Sequence, residues 1–482
     1  MFTSDEAGLL GARFNSAELL HQTDALDAAA QRLVEIAAVA GEANDKVTAL
    51  SRLAEVECDA GRTEVALAAL QQAREYSAIA GRAASPRSLA ELATAEARCA
   101  FFNRDASDLT NAVGRVERVA ATAGNDPRIW AIAARARLHA SLYWYAEREI
   151  DLALRACDTS ADALARAEDA PPLTRARMLT LRAVIDTLVP ERIHHADAEY
   201  SEAYSLAVRH GMVGCAGDAA YNALFFAIYC DEAIASKQRD ASAGWAAGVA
   251  ASLADGAGDA MLAGAVAACQ QRYDRSLTLF ERARREYRQG RFDWTPAFTT
   301  LQARVLFKAQ RYADAERTAR RAAADWQRAG LRGEGGALRV RAEALEALGR
   351  ARNATAILDD AIQALRPYAP VYHLLAVYRC ADRLRPRRAY REQIQYLREA
   401  ICRPASDVGA GGGAVLSGNL PQGRLTPRER EIARMVADGR SNPAIARELG
   451  ISPKTVANHV AAIFEQLGLR ARWQLTRATL GE

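Results

Sequence analysis

The sequence predicts an all-α protein in two parts: an α-solenoid of stacked helix pairs, then a small domain of short helices. Three observations carry this expectation. A helix-pair pattern recurs with a constant period of 39 residues between positions 271 and 361. After Leu425, three helix starts with the same cap chemistry follow one another within about thirty residues. Alanine is abundant and aromatic residues make up only 7% of the chain, which favours close helix packing over sheets.

The repeats come first. Gln271-Arg272-Tyr273-Asp274-Arg275-Ser276 with Phe280 and Ala283 aligns with Gln310-Arg311-Tyr312-Ala313-Asp314-Ala315 with Ala319 and Ala322. Both align with Gly349-Arg350-Ala351-Arg352-Asn353-Ala354 with Leu358 and Ala361, and a fourth copy stands at Gly61-Arg62-Thr63 with Ala66, Leu70 and Ala73. In each, an apolar helix reaches a short turn and a second helix follows. Its small residues let two antiparallel helices approach closely. Ser85-Pro86, Asn125-Asp126-Pro127 and Pro171-Pro172 read as inter-helix turns, and Tyr200-Ser201-Glu202-Ala203 as part of another second helix. A continuous array to Cys402 would hold roughly ten pairs; an irregular α-bundle ending in three good repeats is the alternative.

Residues 403–424 include Gly409-Ala410-Gly411-Gly412-Gly413, Gly418 and Pro421, with almost no apolar periodicity. They read as a flexible linker with a root-mean-square span of about 25 Å.

In residues 425–482, Thr426 offers a cap, Pro427 takes the first helical position and Glu429 stands three residues after the cap. A helix should run from there to about Asp438, where Gly439 can end it. Asn442 before Pro443 repeats the device, with Ile445, Ala446 and Leu449 as an apolar face and Gly450 as the stop. Ser452 before Pro453 repeats it again. In this third helix Val456, Val460, Ile463, Phe464 and Leu467 fall at i, i+4, i+7, i+8 and i+11 and face the core. Lys454, Thr455, Ala457, Asn458 and Ala461 are left on the outer face. An α-helix fits the major groove of B-DNA and reads base edges with its N-terminal half. Small residues at 457 and 461 allow close approach, Asn458 can pair with an adenine edge, and Lys454 with the helix N-terminus can hold phosphates.

These residues resemble the LuxR/GerE-type helix-turn-helix family through Leu425-Thr426, Arg428-Glu429, Gly439, Ser441-Asn442, Ile445-Ala446, Leu449, Ile451-Ser452, Thr455-Val456, His459, Ile463, Leu467 and Arg472. The resemblance covers about an eighth of the chain. It implies a recognition role for the third helix and a fourth helix, roughly Arg472 to Leu480, as a dimer contact. It also implies a sequence-specific transcriptional regulator that binds double-stranded DNA as a homodimer, with RNA polymerase as a further candidate partner. The DNA-contacting set it implies is Asn442, Lys454, Thr455, Val456, Ala457, Asn458, His459, Ala461 and Arg472. Family members commonly carry Lys after the Thr-Val pair, where this chain has Ala457. The repeats resemble the tetratricopeptide type, with Tyr273 and Tyr312 at the aromatic position and a period longer than the usual 34 or so. Such longer repeats are similar to the sensor region of large maltose-regulator-type LuxR proteins. Residues 1–402 are therefore expected to sense a small-molecule or protein effector.

Charge supports the terminal reading. Residues 425–482 carry nine basic and six acidic residues, while the first 424 carry 54 and 53, so the basic excess sits where phosphates would be met. Other chemistry is missing. The four lysines, Lys46, Lys237, Lys308 and Lys454, follow Asp, Ser, Phe and Pro, so none belongs to a P-loop and the ATPase module of the large regulators is not expected. The Ala/Leu periodicity of the first 120 or so residues argues against a phosphoacceptor receiver, which alternates strands and helices. His194-His195 stands beside Asp197 without a third ligand, so no metal, cofactor or enzymatic activity is expected. The eight cysteines are scattered as buried thiols of a reducing cytoplasm would be, and neither a signal peptide nor a membrane span is expected. Tyr143-Trp144-Tyr145, Tyr221 with Phe225, Phe226 and Tyr229, and Tyr368 with Tyr372, His373 and Tyr378 are either stacking platforms for a ligand or inter-helix packing. A second overall reading is an adaptor whose repeats bind a protein and whose terminal domain is vestigial.

Overall fold

The computed structural model describes residues 4–23, 25–124, 126–167, 171–190, 192–229, 259–286, 295–330, 333–365, 371–402, 425–437 and 442–467. They form helices joined by short turns, with no strand among the described residues. Internal contacts divide the chain into Met1–Cys402 and Arg403–Glu482. The expected linker 403–424, Gly439, Arg472 and the expected fourth helix lie outside the described residues.

In the first unit, α1 (Ser4–Gln22) and α2 (Leu26–Val39) lead into the pairs α3 (Ala43–Asp59) and α4 (Thr63–Ala80), α5 (Pro86–Asn103) and α6 (Ala106–Thr122), α7 (Pro127–Ala146) and α8 (Ile150–Arg166), and α9 (Pro172–Asp186) and α10 (Ala196–Arg209). After α11 (Val213–Tyr229) come α12 (Asp259–Cys269) and α13 (Tyr273–Glu286), α14 (Thr295–Lys308) and α15 (Tyr312–Arg328), α16 (Glu334–Ala347) and α17 (Ala351–Leu365), and α18 (Val371–Leu384) and α19 (Arg388–Cys402). Each helix packs on its pair partner, and the first helices α3, α5 and α7 also pack on one another.

Six of the eight pairs from α3/α4 to α18/α19 share one turn chemistry. The backbone becomes left-handed at Gly61, Gln271, Gln310 and Gly349, the four turns legible in the sequence, and also at Arg104 and Arg148. In each case the next N–H donates to the carbonyl five residues back: Arg62 to Glu57 at 2.8 Å, Asp105 to Ala100 at 3.0 Å, Glu149 to Trp144 at 2.8 Å, Arg272 to Ala267 at 2.8 Å, Arg311 to Leu306 at 2.9 Å and Arg350 to Leu345 at 2.9 Å. This is the Schellman closure, which satisfies carbonyls at the end of the first helix and starts the second at once. The α5/α6 and α7/α8 turns escaped sequence reading because they run Arg104-Asp105 and Arg148-Glu149, where the four legible turns have Gly-Arg or Gln-Arg.

The small positions of the repeats are where the helices meet. Ala66, Ser276, Ala315, Ala322, Ala354 and Ala361 are fully buried. Ser276 Oγ donates to the Gly264 carbonyl of the partner helix at 2.8 Å, and Ser160 Oγ does the same to Ala134 at 2.8 Å in α7/α8. A Cβ on Gly264 would stand 2.9 Å from the Phe280 ring, so this crossing needs the missing side chain.

The array also contacts itself across distant pairs. Phe101 and Tyr143 share a core with Ala323, Trp326 and Ala337, and Leu173 and Ile193 share one with Val371, Tyr372 and Tyr378. The Val371 N–H donates to the Thr187 carbonyl at 3.0 Å. Tyr143, Tyr372 and Tyr378 are thus packing residues, each about 95% buried. The side chains of Phe225, Phe226 and Tyr229, with Tyr368, lie outside the described residues.

Near that seam Asp186 of α9, Glu199 of α10 and Asp158 of α8 gather around Arg182 and Arg192. Arg192 Nε donates to Asp186 at 2.7 Å, and Arg182 Nε stands 2.9 Å from Glu199. Burial raises the Asp186 carboxyl above its ordinary range. Burial, with the neighbouring Asp186, does the same to Glu199. The folded chain therefore holds protons that the unfolded chain has released, so stability falls as pH climbs from the ordinary carboxylate range through neutrality. Glu199→Gln is expected to shrink the drop in melting temperature between pH 5 and pH 8 by about 2–4 °C, read by circular dichroism. An unchanged drop would remove Glu199 from the effect.

Candidate nucleic-acid interface

The second unit holds α20 (Pro427–Ala437), α21 (Asn442–Leu449) and α22 (Pro453–Leu467). Their starts follow from cap chemistry. The Thr426 N–H and Oγ1 both donate to Glu429 Oε2, at 2.9 and 2.7 Å, and the Glu429 N–H donates back to Thr426 Oγ1 at 3.2 Å. Two N-terminal donors are satisfied reciprocally, as a capping box requires. At α22 the Thr455 N–H donates to Ser452 Oγ at 3.0 Å. Between α21 and α22, Gly450 is left-handed at φ +64° and the Ile451 N–H donates to the Ala446 carbonyl at 3.0 Å. This is the turn of the repeats, used again to set α22 against its predecessor.

Among the described residues eight make the core: Ile432, Ala433 and Val436 of α20, Ile445 and Ala446 of α21, and Val456, Val460 and Ile463 of α22. Burying that stripe turns the opposite face of α22 outward. Lys454, Thr455, Ala457, Asn458 and Ala461 are all exposed, so five of the expected contact residues share one open face at the helix N-terminal half. His459 and Asn442 are half-buried at its border. Val456 is a correction: at 0% exposure it is a core residue and cannot reach a base edge, so its role is to fix the helix that others use. Arg472 lies outside the described residues. Sequence reasoning gave no role to Arg428, whose Nη2 donates to the Leu449 carbonyl at 3.2 Å and ties α20 to the end of α21. Its signal is a basic side chain able to reach a helix C-terminus, which is hard to see without the tertiary arrangement.

With this geometry in place, comparison decides the type of domain. Residues 423–479 match the model of the bacterial regulatory proteins of the luxR family. This segment is a LuxR-family helix-turn-helix domain. The LuxR-type domain is similar to a putative HTH-type transcriptional regulator of Mycobacterium bovis, 47% identical over 53 residues, which are 11% of this chain and 6% of that protein. It is also similar to the probable transcriptional regulatory protein NarL of Mycobacterium tuberculosis, 48% identical over 48 residues, 10% of this chain and 22% of the relative. The third is the transcriptional regulatory protein UhpA of Escherichia coli, 46% identical over 56 residues, 12% and 29%. The chain thus matches less than a third of the length of each of these relatives. Among solved structures, the chain is similar to yeast Tom70 at 11% identity, covering 82% of this chain and 85% of that one with a TM-score of 0.29.

Among the described residues no helix is long and apolar enough to cross a membrane, and no group of His, Cys, Asp and Glu could hold a metal ion. The described cysteines are free thiols, with Cys58, Cys99, Cys157, Cys215 and Cys380 buried.

Proposed function

We propose that the chain is a cytoplasmic, sequence-specific transcriptional regulator. Residues 425–482 bind double-stranded DNA as one half of a homodimer, residues 403–424 tether this reader, and residues 1–402 bind the small molecule or protein that controls it. The observation that carries the reading is the exposed face of α22: one cation, one amide and two alanines above a closed core, in the part of the chain that holds the basic excess. RNA polymerase is a partner consistent with such a regulator.

Genomic footprinting of the intact protein tests the reading, with a shared palindrome at the bound sites as the expected result and no protected sites as the refuting one. Lys454→Ala should weaken binding to all duplexes alike and lower the slope of log affinity against log salt by about one. Asn458→Ala should instead relax the selected motif at one base pair, a loss of about 1–3 kcal/mol of discrimination. A motif that stays the same would take Asn458 out of base reading. Ala457, where family members commonly have a cation, favours a second reading in which the repeats act as a protein-binding adaptor and the terminal domain binds DNA weakly. That reading expects retention of a protein partner with no footprint.

A further inference from the structure

The N-terminal pairs of the repeat unit enclose a charged cleft. Asp59 of α3 accepts from Arg98 Nη2 at 2.5 Å, Arg177 Nη1 at 2.8 Å and His21 Nε2 at 2.9 Å. Glu91 of α5, with a side chain at 0% exposure, accepts from Arg52 Nη2 at 3.0 Å and from Arg135. Arg52 also reaches Glu18 at 2.7 Å, and His139 Nε2 stands 3.1 Å from Glu55 Oε2. Four guanidinium groups thus face four carboxylates. Burial pushes His139 below its ordinary pKa, so this imidazole stays neutral, and the four guanidinium charges match the four carboxylates.

Glu55, Arg135 and their neighbours line a cavity of about 30 Å³ with Leu33, Val56, Leu138 and Leu173 as apolar walls. Exposure gives it a direction. Glu18 and Arg177 are 26% and 31% exposed at its mouth, while Glu55 and Arg135 are 5% and 15% exposed at its floor. At the floor two buried polar atoms have no hydrogen-bond partner: the acceptor Glu55 Oε1 and the donor Arg135 Nε, which lies 3.0 Å from Glu55 Oε2 without an aligned N–H. Leaving such atoms unsatisfied costs about 1–3 kcal/mol each.

We propose that this cleft binds a primary carboxamide head group, its NH₂ donating to Glu55 Oε1 and its carbonyl accepting from Arg135 Nε. A cavity of this size holds about two water-sized groups, at roughly 10–15 Å³ each. A carboxamide supplies one donor and one acceptor already joined, whereas two separate waters would each lose up to about 2 kcal/mol of entropy. Charge balance sets selectivity. A carboxylate or an ammonium group of the same size would add an uncompensated charge to a buried neutral cluster and is rejected. The rest of the ligand lies at the mouth beside Glu18 and Arg177. The proposal rests on the reading of residues 1–402 as the effector-binding part, and identifies the chemistry recognised.

The test is saturation-transfer NMR on the full chain with acetamide, acetate and methylammonium at equal concentration. It uses the wild type, Glu55→Gln, and Val56→Ile, which adds a methyl group to the cavity wall; circular dichroism melts show that the variants are folded. Acetamide is expected to show transfer on the wild type and at least fivefold less on each folded variant, with acetate and methylammonium near background. No acetamide transfer means that the cavity holds water alone and overturns the proposal. Equal transfer on both variants, or equal transfer from either ion, overturns it as well. No DNA is present in this measurement, so its failure leaves the footprinting result untouched, and a footprint without acetamide binding sinks only the carboxamide site.

Discussion

Glu91→Ala is expected to destabilise the N-terminal part of the repeat unit by about 3–5 kcal/mol. Glu91 sits on α5 between Arg52 of α3 and Arg135 of α7, and its side chain is wholly buried. Removing it leaves Arg52 with Glu18 alone and Arg135 with Glu55 alone, so the cluster holds one cation more than its anions, and the cost of an uncompensated charge there exceeds what the intact pair contributes. Glu91→Gln keeps the acceptor oxygen and should cost less than the alanine variant. Urea denaturation followed by circular dichroism reads the effect, and because long arrays lose cooperativity the earliest transition is the one to follow. A midpoint shift equivalent to less than about 1 kcal/mol would show that water compensates both arginines.

Val456→Asp is expected to unfold the LuxR-type domain and abolish DNA binding, with the melting of the repeat unit unchanged. Val456 is fully buried in the core shared by α20, α21 and α22, and a domain this small has a stability of only a few kcal/mol to lose. A carboxylate at that point either desolvates or forces the helices apart. The neighbour gives the control. Ala457 is exposed on the same helix, so Ala457→Asp should leave the domain folded and weaken DNA binding through repulsion from phosphates alone. A Val456→Asp protein that still binds a duplex as tightly as the wild type would overturn this placement of the core.

The terminal domain was legible because its information is local. Thr426 and Glu429, Ser452 and Thr455, and Gly450 act within a few residues of themselves, and the structure joins them by the bonds that the spacing requires. The same holds for the repeat turns at Gly61, Gln271, Gln310 and Gly349. Legibility failed at α5 to α8 for a local reason too. Arg104-Asp105 and Arg148-Glu149 stand where the legible turns have Gly-Arg or Gln-Arg, and Leu109 and Val116 fill buried positions of α6 where the clear repeats have small residues.

By itself the sequence determined which segments are helices, where they start and stop, and which face of each is apolar, because propensity, capping and periodicity act over one to four residues. It also determined the LuxR-type domain, whose pattern sits within one short segment. The tertiary structure alone decided what those faces meet. His139 finds Glu55 across 84 positions, Arg177 finds Asp59 across 118, and Arg104 approaches the Gly330 carbonyl across 226. A solenoid read from its period has contacts only between neighbours. The charged cleft and the seam at Val371 and Thr187 join helices far apart in sequence, contacts that no single repeat encodes.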